Sequence, residues 1–287
     1  MGRPAPILGW RKGALPALLM ISIAVTAAPR VQPARADSIE AAPEDARSVL
    51  ARAFANRYDV DTREIVDIVV RNAHGEERRR RLEVATKRIR GRFHSIGRFT
   101  EPEYLRGTAI LNIENTDRSD DHFLYLRTLQ RVRRLSVHQR ADAFMGTDLT
   151  YEDFERRRVD DYEVRFLAPG TVAEEAVQVL EGRPWFDSAY ARVEFFVAIS
   201  DGAILETRYY KRGAERPFKL LHAPRAETRR LAGHSLPTHL LVENLVRRTV
   251  TEVWIEQLAV NPDLEDSLFT ASAIEVGRPI PGLESSQ

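Results

Sequence analysis

The sequence predicts a mainly β protein: one helix near the start, then a long antiparallel meander. Three observations carry this. From about residue 62 to 260 apolar residues recur with period two, turn-forming clusters interrupt them at short intervals, and helical spacing is confined to one early segment and one late one. The order of elements is not the alternation of strand and helix that a parallel sheet requires.

The early helix is "APEDARSVLARAFANRYD", residues 42–59. Pro43 sits near its first turn, Glu44 and Asp45 complement the N-terminal dipole, and Val49, Leu50, Ala53 and Phe54 make one apolar face. Strands follow in "EIVDIVVRN", "RRLEVATKRI", "YLRGTAILNIEN", "HFLYLRT" and "RVRRLSVH". Beyond residue 154 come "VDDYEVRFLA", "VQVLEGRP", "ARVEFFVAIS", "AILETRYYK", "PFKLLHAP", "ETRRLAG", "THLLVENL" and "TVTEVWIEQL". Alternation places Leu105, Ala109, Leu111 and Ile113 on one face, and likewise Val193, Phe195, Val197 and Ile199. Segments such as "NAHGEE", "SDGA" and "KRGAERP" read as hairpin turns. A short helix around "DSLFTASAIE" is expected to close over the sheet with Leu268, Phe269 and Ile274.

Ahead of the meander, Arg3, Arg11 and Lys12 precede the apolar "GALPALLMISIAVTAA", and "ARA" ends at Ala36. That is a cleavable signal peptide, with cleavage expected after Ala36 and a single domain over 37–287; an uncleaved anchor is the alternative. The chain has no cysteine, which excludes a disulfide framework, thiolate metal sites, a cysteine nucleophile and a lipidated cysteine. Export without cysteine suggests the periplasm of a Gram-negative cell. Five of the 43 basic residues lie before the cleavage point, leaving 38 against 42 acidic ones, a formal charge of −4. Nucleic acid is therefore not an expected partner.

Chemistry is sparse. The run "EERRRRLEV" puts Arg78 to Arg81 on a strand, where side chains alternate between faces and Glu76, Glu77 and Glu83 compensate them, so it reads as a solvated hairpin. His234 and His239 have neither the i, i+4 nor the i, i+2 spacing of a metal pair, and the other five histidines have no diagnostic partner. Adjacent acids at 120/121, 152/153 and 160/161 face apart on strands and read as turn residues rather than an acid–base pair. With no nucleophile elbow and no phosphate loop, no catalytic residue, metal or cofactor is expected, and the protein reads as non-enzymatic.

One stretch stands apart: "FMGTDLTYEDF", residues 144–154. Gly146 permits a bend, Asp148 or Thr150 can cap a short helical turn, and a Thr150 cap sets Asp153 in the place of a capping-box acid. Phe144, Leu149, Tyr151 and Phe154 would anchor the turn on the core. Structural joint, lip of a binding cavity, and catalytic or metal loop remain open readings.

The stretch "RGTAILNIEN…DDHFLYLRTLQRVRRLS", followed by "FMGTDLTYEDF", resembles the outer membrane lipoprotein-sorting protein family, relatives of the LolA/LolB periplasmic carriers. "EGRP", "FFVAISDGAILETRYYK", "HSLPTHLLVENLVRRTVTEVWIEQL" and "LFTASAIE" extend the likeness along most of the chain. The family motif falls on Phe144, Gly146, Thr147, Asp148, Leu149, Thr150, Tyr151, Glu152, Asp153 and Phe154, and no catalytic role attaches to it. The sequence departs at Ala198, Ile199, Ser200 and Asp201, where relatives often have "YYD". The resemblance implies a strongly curved, unclosed antiparallel half-barrel with helices covering its concave face, around an apolar cavity for a lipid or a lipoprotein acyl chain. Expected partners are an inner-membrane export complex that loads the carrier and an outer-membrane acceptor. The early helix (Val49, Leu50, Phe54) and the 144–154 element are expected to be the movable cover. The alternative is an envelope-stress regulatory module that uses the same half-barrel to bind a membrane protein.

Overall fold

A computed structural model describes residues 44–281; the expected signal peptide and the expected cleavage after Ala36 lie outside the described residues. The early helix is α1, Ala46–Tyr58. Asp45 caps it, accepting the Ser48 amide at 2.9 Å, and Val49, Leu50, Ala53 and Phe54 are its buried face.

The first wing of the sheet is β1 (Thr62–Arg71), β2 (Glu77–Ile89), β3 (Arg92–Glu101), β4 (Ala109–Ile113), β5 (Asp121–Leu126) and β6 (Arg131–Arg134), each paired antiparallel to the next. The second wing has β7 (Tyr162–Phe166), β8 (Gly170–Val172), β9 (Glu175–Pro184), β10 (Arg192–Ala198), β11 (Ile204–Tyr210) and β12 (Lys219–His222). A separate hairpin, β13 (Thr228–Leu231) with β14 (His234–Pro237), precedes β15 (His239–Asn244) and β16 (Thr249–Val260). The wings join where β16 pairs with β1 on one side and β15 on the other, and β15 pairs with β12. The 14-stranded sheet ends at β6 and β7, which do not pair with each other. It is the expected mainly β, antiparallel, unclosed sheet.

The inner face is covered along both wings and the reverse face along the first. On the inner face of the first wing, Val66, Ile68, Leu82, Phe99, Ile110 and Leu124 pack beneath Phe144, Leu149 and Tyr151. On the second wing α1 lies over Leu180, Val193, Phe195 and Tyr209. The final segment, with a short helix α2 (Ala271–Glu275) capped by Thr270, lays Leu264, Leu268, Phe269 and Ile274 on the reverse of the first wing, against Ala85, Ile96 and Leu111.

Details depart from the sequence reading. Strands β3, β8 and β14 were not foreseen; in β3, Arg92, His94, Gly97 and Arg98 dilute the β signal, although Gly97 lies in register with Val84 and a Cβ there would reach within 3.4 Å of Ile110. Leu105 falls in the turn before β4 and packs with the inner-face cluster, not with Leu111 on the reverse. Ile199 lies past the end of β10 and is 60 % exposed.

Candidate functional site

The 144–154 element is held by its own backbone and by the sheet. Met145 and Gly146 both take positive φ (48° and 75°), which turns the chain back so that the Phe144 amide donates to the Leu149 carbonyl at 2.8 Å. The Thr147 hydroxyl donates to the Phe144 carbonyl at 2.7 Å. Asp148 reaches β16: its carboxylate accepts from the hydroxyls of Thr249 and Thr251 at 2.5 and 2.9 Å, and its amide donates to Thr251 at 2.9 Å. Thr150 caps the next turn, and Asp153 reaches back to the Thr150 amide at 2.8 Å, the capping box in its short-acid form. Phe144 then packs between Phe99, Tyr151 and Phe154, with ring centroids 5.7, 5.6 and 4.5 Å away.

All three carboxylates of the element are shielded from solvent, and besides Asp148 two of them reach the second wing. Glu152 accepts the Ala189 amide at 2.7 Å and the Ser188 hydroxyl. Asp153 accepts from Lys219 at 2.6 Å and from the Tyr190 hydroxyl at 2.7 Å, with Arg157 at 3.4 Å. Burial pushes the Asp153 carboxyl up, but the Lys219 and Arg157 cations more than offset it and hold it below the usual range. Burial in turn pulls the Lys219 ammonium down, against the attraction of Asp153. A second buried chain ties the segment after the element to the sheet: Asn112 donates to Ser95 at 3.0 Å, His122 bridges Asn112 (2.6 Å) and Glu155 (2.7 Å), and Arg140 pairs with Glu155. Both His122 nitrogens are engaged and Asn112 stands between it and Ser95, so this chain does not form a hydroxyl–imidazole nucleophile pair.

Between α1, the element and the two wings lies an apolar cavity of about 260 Å³. Val66, Ile68, Leu82 and Val84 line it from the first wing, Leu240, Val253 and Ile255 from the centre, Tyr209 and Leu221 from the second wing. Residues from strands so far apart in the sheet order meet one hollow only because the sheet curls around it. Arg57 and Tyr58 of α1, and Leu149, Asp153 and Phe154, complete the wall. Glu64 also faces it; burial raises its carboxyl, while Thr62 donates to it at 2.8 Å.

Of the residues singled out from sequence, Leu149, Phe154 and Asp153 line this cavity. Phe144 and Tyr151 support them from behind. Val49, Leu50 and Phe54 lie in the neighbouring cluster under α1, and it is Arg57 and Tyr58 at the helix end that reach the hollow. Gly146, Thr147, Asp148, Thr150 and Glu152 serve the turn and its anchors. Sequence reasoning missed Arg157, Tyr190, Lys219, His122 and Glu155; the one signal was a lysine set between Phe218 and Leu220 in a short strand. It also misread Arg80. Strand alternation turns that side chain inward beside Leu82, where it is 5 % exposed and donates to the Met145 carbonyl at 2.7 Å, while Arg79 and Arg81 pair outward with Glu77 and Asp67. Among the described residues no cluster of three metal-ligating side chains occurs.

An open antiparallel half-barrel curled around an apolar hollow is the LolA-like fold. A putative outer membrane lipoprotein-sorting protein domain from Vibrio parahaemolyticus superposes with a TM-score of 0.75 at 22 % identity, over 80 % of this chain and 98 % of its own. A DUF1329 family protein from Desulfovibrio piger gives 0.75 at 22 %, covering 80 % and 97 %. A LolA superfamily protein from Nitrosomonas europaea gives 0.63 at 24 %, covering 80 % and 99 %. No curated protein matches the sequence significantly. A family model described as "-like: Uncharacterized protein" matches residues 91–276, and the chain belongs to that family.

Proposed function

We propose that this protein is a non-enzymatic periplasmic carrier or binder of a lipidic ligand, freed by cleavage after Ala36, that holds an acyl chain in the half-barrel hollow. The observation that supports it most is the cavity wall: aliphatic side chains from both wings around about 260 Å³, larger than the roughly 150 Å³ at which a dry apolar cavity already admits benzene. Each buried methylene contributes about 0.8 kcal/mol, so part of a chain suffices for micromolar binding without any reacting group. Lipoprotein acyl chains and other envelope lipids fit equally. Loading would come from an inner-membrane export complex and discharge would go to an outer-membrane acceptor. Mass spectrometry of lipids recovered with the protein from periplasm tests the reading, and a protein that emerges empty and takes up no acyl probe overturns it.

The cover in this reading is α1 with the 144–154 element. Asn56 tethers α1: its amide donates to the Asp201 carbonyl at 3.2 Å and its side-chain oxygen accepts the Ser235 amide at 2.8 Å. Asn56→Ala is expected to speed both uptake and release of a fluorescent acyl probe several-fold in stopped flow; unchanged rates would exclude α1 as the moving part.

A further inference from the structure

At the end of the sheet where β11 turns to β12 and β15 to β16, two loops lie side by side, the Leu245 amide donating to the Phe218 carbonyl at 2.9 Å. The Lys211 ammonium donates to the Ala189 carbonyl at 3.0 Å and so adds the 185–191 segment to the same surface. Three large apolar side chains stand out of it: Trp185 is 69 % exposed, Leu245 45 % and Val246 75 %. Around them Lys211, Arg212, Arg216, Arg247 and Arg248 are exposed, and none forms an ion pair among the described residues, against the carboxylates of Glu215 and Asp187. In a chain expected to be net negative, five unpaired cations therefore share one surface with exposed hydrocarbon.

The same surface holds a second cavity, about 330 Å³, walled by Lys211, Arg247, Phe218, Val246, Tyr190 and Lys219. The Lys219 charge is answered by Asp153, and the Asp148 carboxylate at this cavity is occupied by Thr249 and Thr251. The lining cations without a carboxylate partner among the described residues are Lys211, whose ammonium lies on the Ala189 carbonyl, and Arg247. A cationic pocket rimmed by Trp, Leu and Val matches a bilayer interface, where an anionic phosphate lies beside hydrocarbon; a nucleic acid offers the charge without the hydrocarbon.

We propose that this end of the half-barrel docks on the anionic surface of a lipid bilayer, with Trp185, Leu245 and Val246 entering the headgroup layer and a lipid phosphate seated between Lys211 and Arg247. The test is co-sedimentation of the expressed full chain with vesicles of equal parts phosphatidylcholine and phosphatidylglycerol, compared with phosphatidylcholine alone. Binding is expected on the anionic vesicles only and should weaken with salt. Lys211→Gln/Arg247→Gln should lower partitioning roughly 25-fold, at about fivefold for each cation removed. Leu245→Ser/Val246→Ser should abolish the binding that survives in high salt. All four positions are exposed, so thermal unfolding should not shift. Equal binding to both vesicle types, or double variants within twofold of wild type, overturns the proposal, as does displacement by millimolar glycerol 3-phosphate, which would make the ligand a soluble phosphate. Acyl-probe uptake measured alongside reports the apolar hollow separately, so the two readings fail independently.

Discussion

Val84 gives the most direct access to the hollow. It is half-buried on β2, points inward between Leu82 and Thr86, and its exposed surface is cavity wall. Val84→Phe adds about four carbon atoms to a space that is empty, and so displaces about four methylenes of any bound chain. At about 0.8 kcal/mol for each methylene the loss is about 3 kcal/mol, or roughly 200-fold in affinity. The same substitution should not destabilise the fold, because it fills a void instead of forcing a packed core apart. Titration with a fluorescent acyl probe reads the first effect and thermal unfolding the second, with Val276→Phe as a control at an exposed site away from the cavity. Undiminished probe affinity in a folded Val84→Phe protein would refute the assignment of the hollow as the binding site.

Further outcomes follow from the buried charges. Lys219→Met should cost about 3 kcal/mol of stability in thermal or urea unfolding, because it leaves Asp153 buried without its closest cation; Asp153→Asn/Lys219→Met should cost less than the sum of the two single changes. Asp120, pushed by burial up to about 6 with the Glu155 charge adding to the rise, destabilises the fold when ionised. Its penalty is absent below its unfolded value and grows as pH rises through 6, so Asp120→Asn should stabilise by at most about 3 kcal/mol at pH 8 and by nothing near pH 3.5, seen as a flatter pH profile of the urea midpoint. An Asp120→Asn protein that loses stability at pH 8 would mean that the carboxylate is needed.

The meander and the motif were legible because their signals are local. Period two marks most strands, and the Thr150–Asp153 spacing alone announced the capped turn that is found. The buried face of α1 was readable for the same reason. What the sequence hid depends on contacts far along the chain. Lys219, Tyr190 and Asp153 come from three separated segments, and only the folded sheet makes a lysine in "PFKLLH" a partner for an aspartate 66 residues earlier. Arg80 looked solvated because its neighbours are. Its burial follows from which parity of β2 turns inward, and that is fixed by Leu82 and the cavity, not by the arginines themselves. Likewise α1 was read as covering the hollow with its apolar face, whereas that face packs on the second wing and the helix end reaches inward.

The two free margins of the sheet, β6 and β7, have a mechanical consequence. In a closed barrel, swelling to admit a guest would stretch backbone hydrogen bonds all the way round. Here the circumference is interrupted: the 135–161 segment runs from one margin to the other and is folded on itself by links such as Arg140 to Glu155. A change of girth would therefore be taken up in that segment and need break no strand pair, so a carrier of this shape would act as a clasp of adjustable bore instead of a vessel of fixed volume.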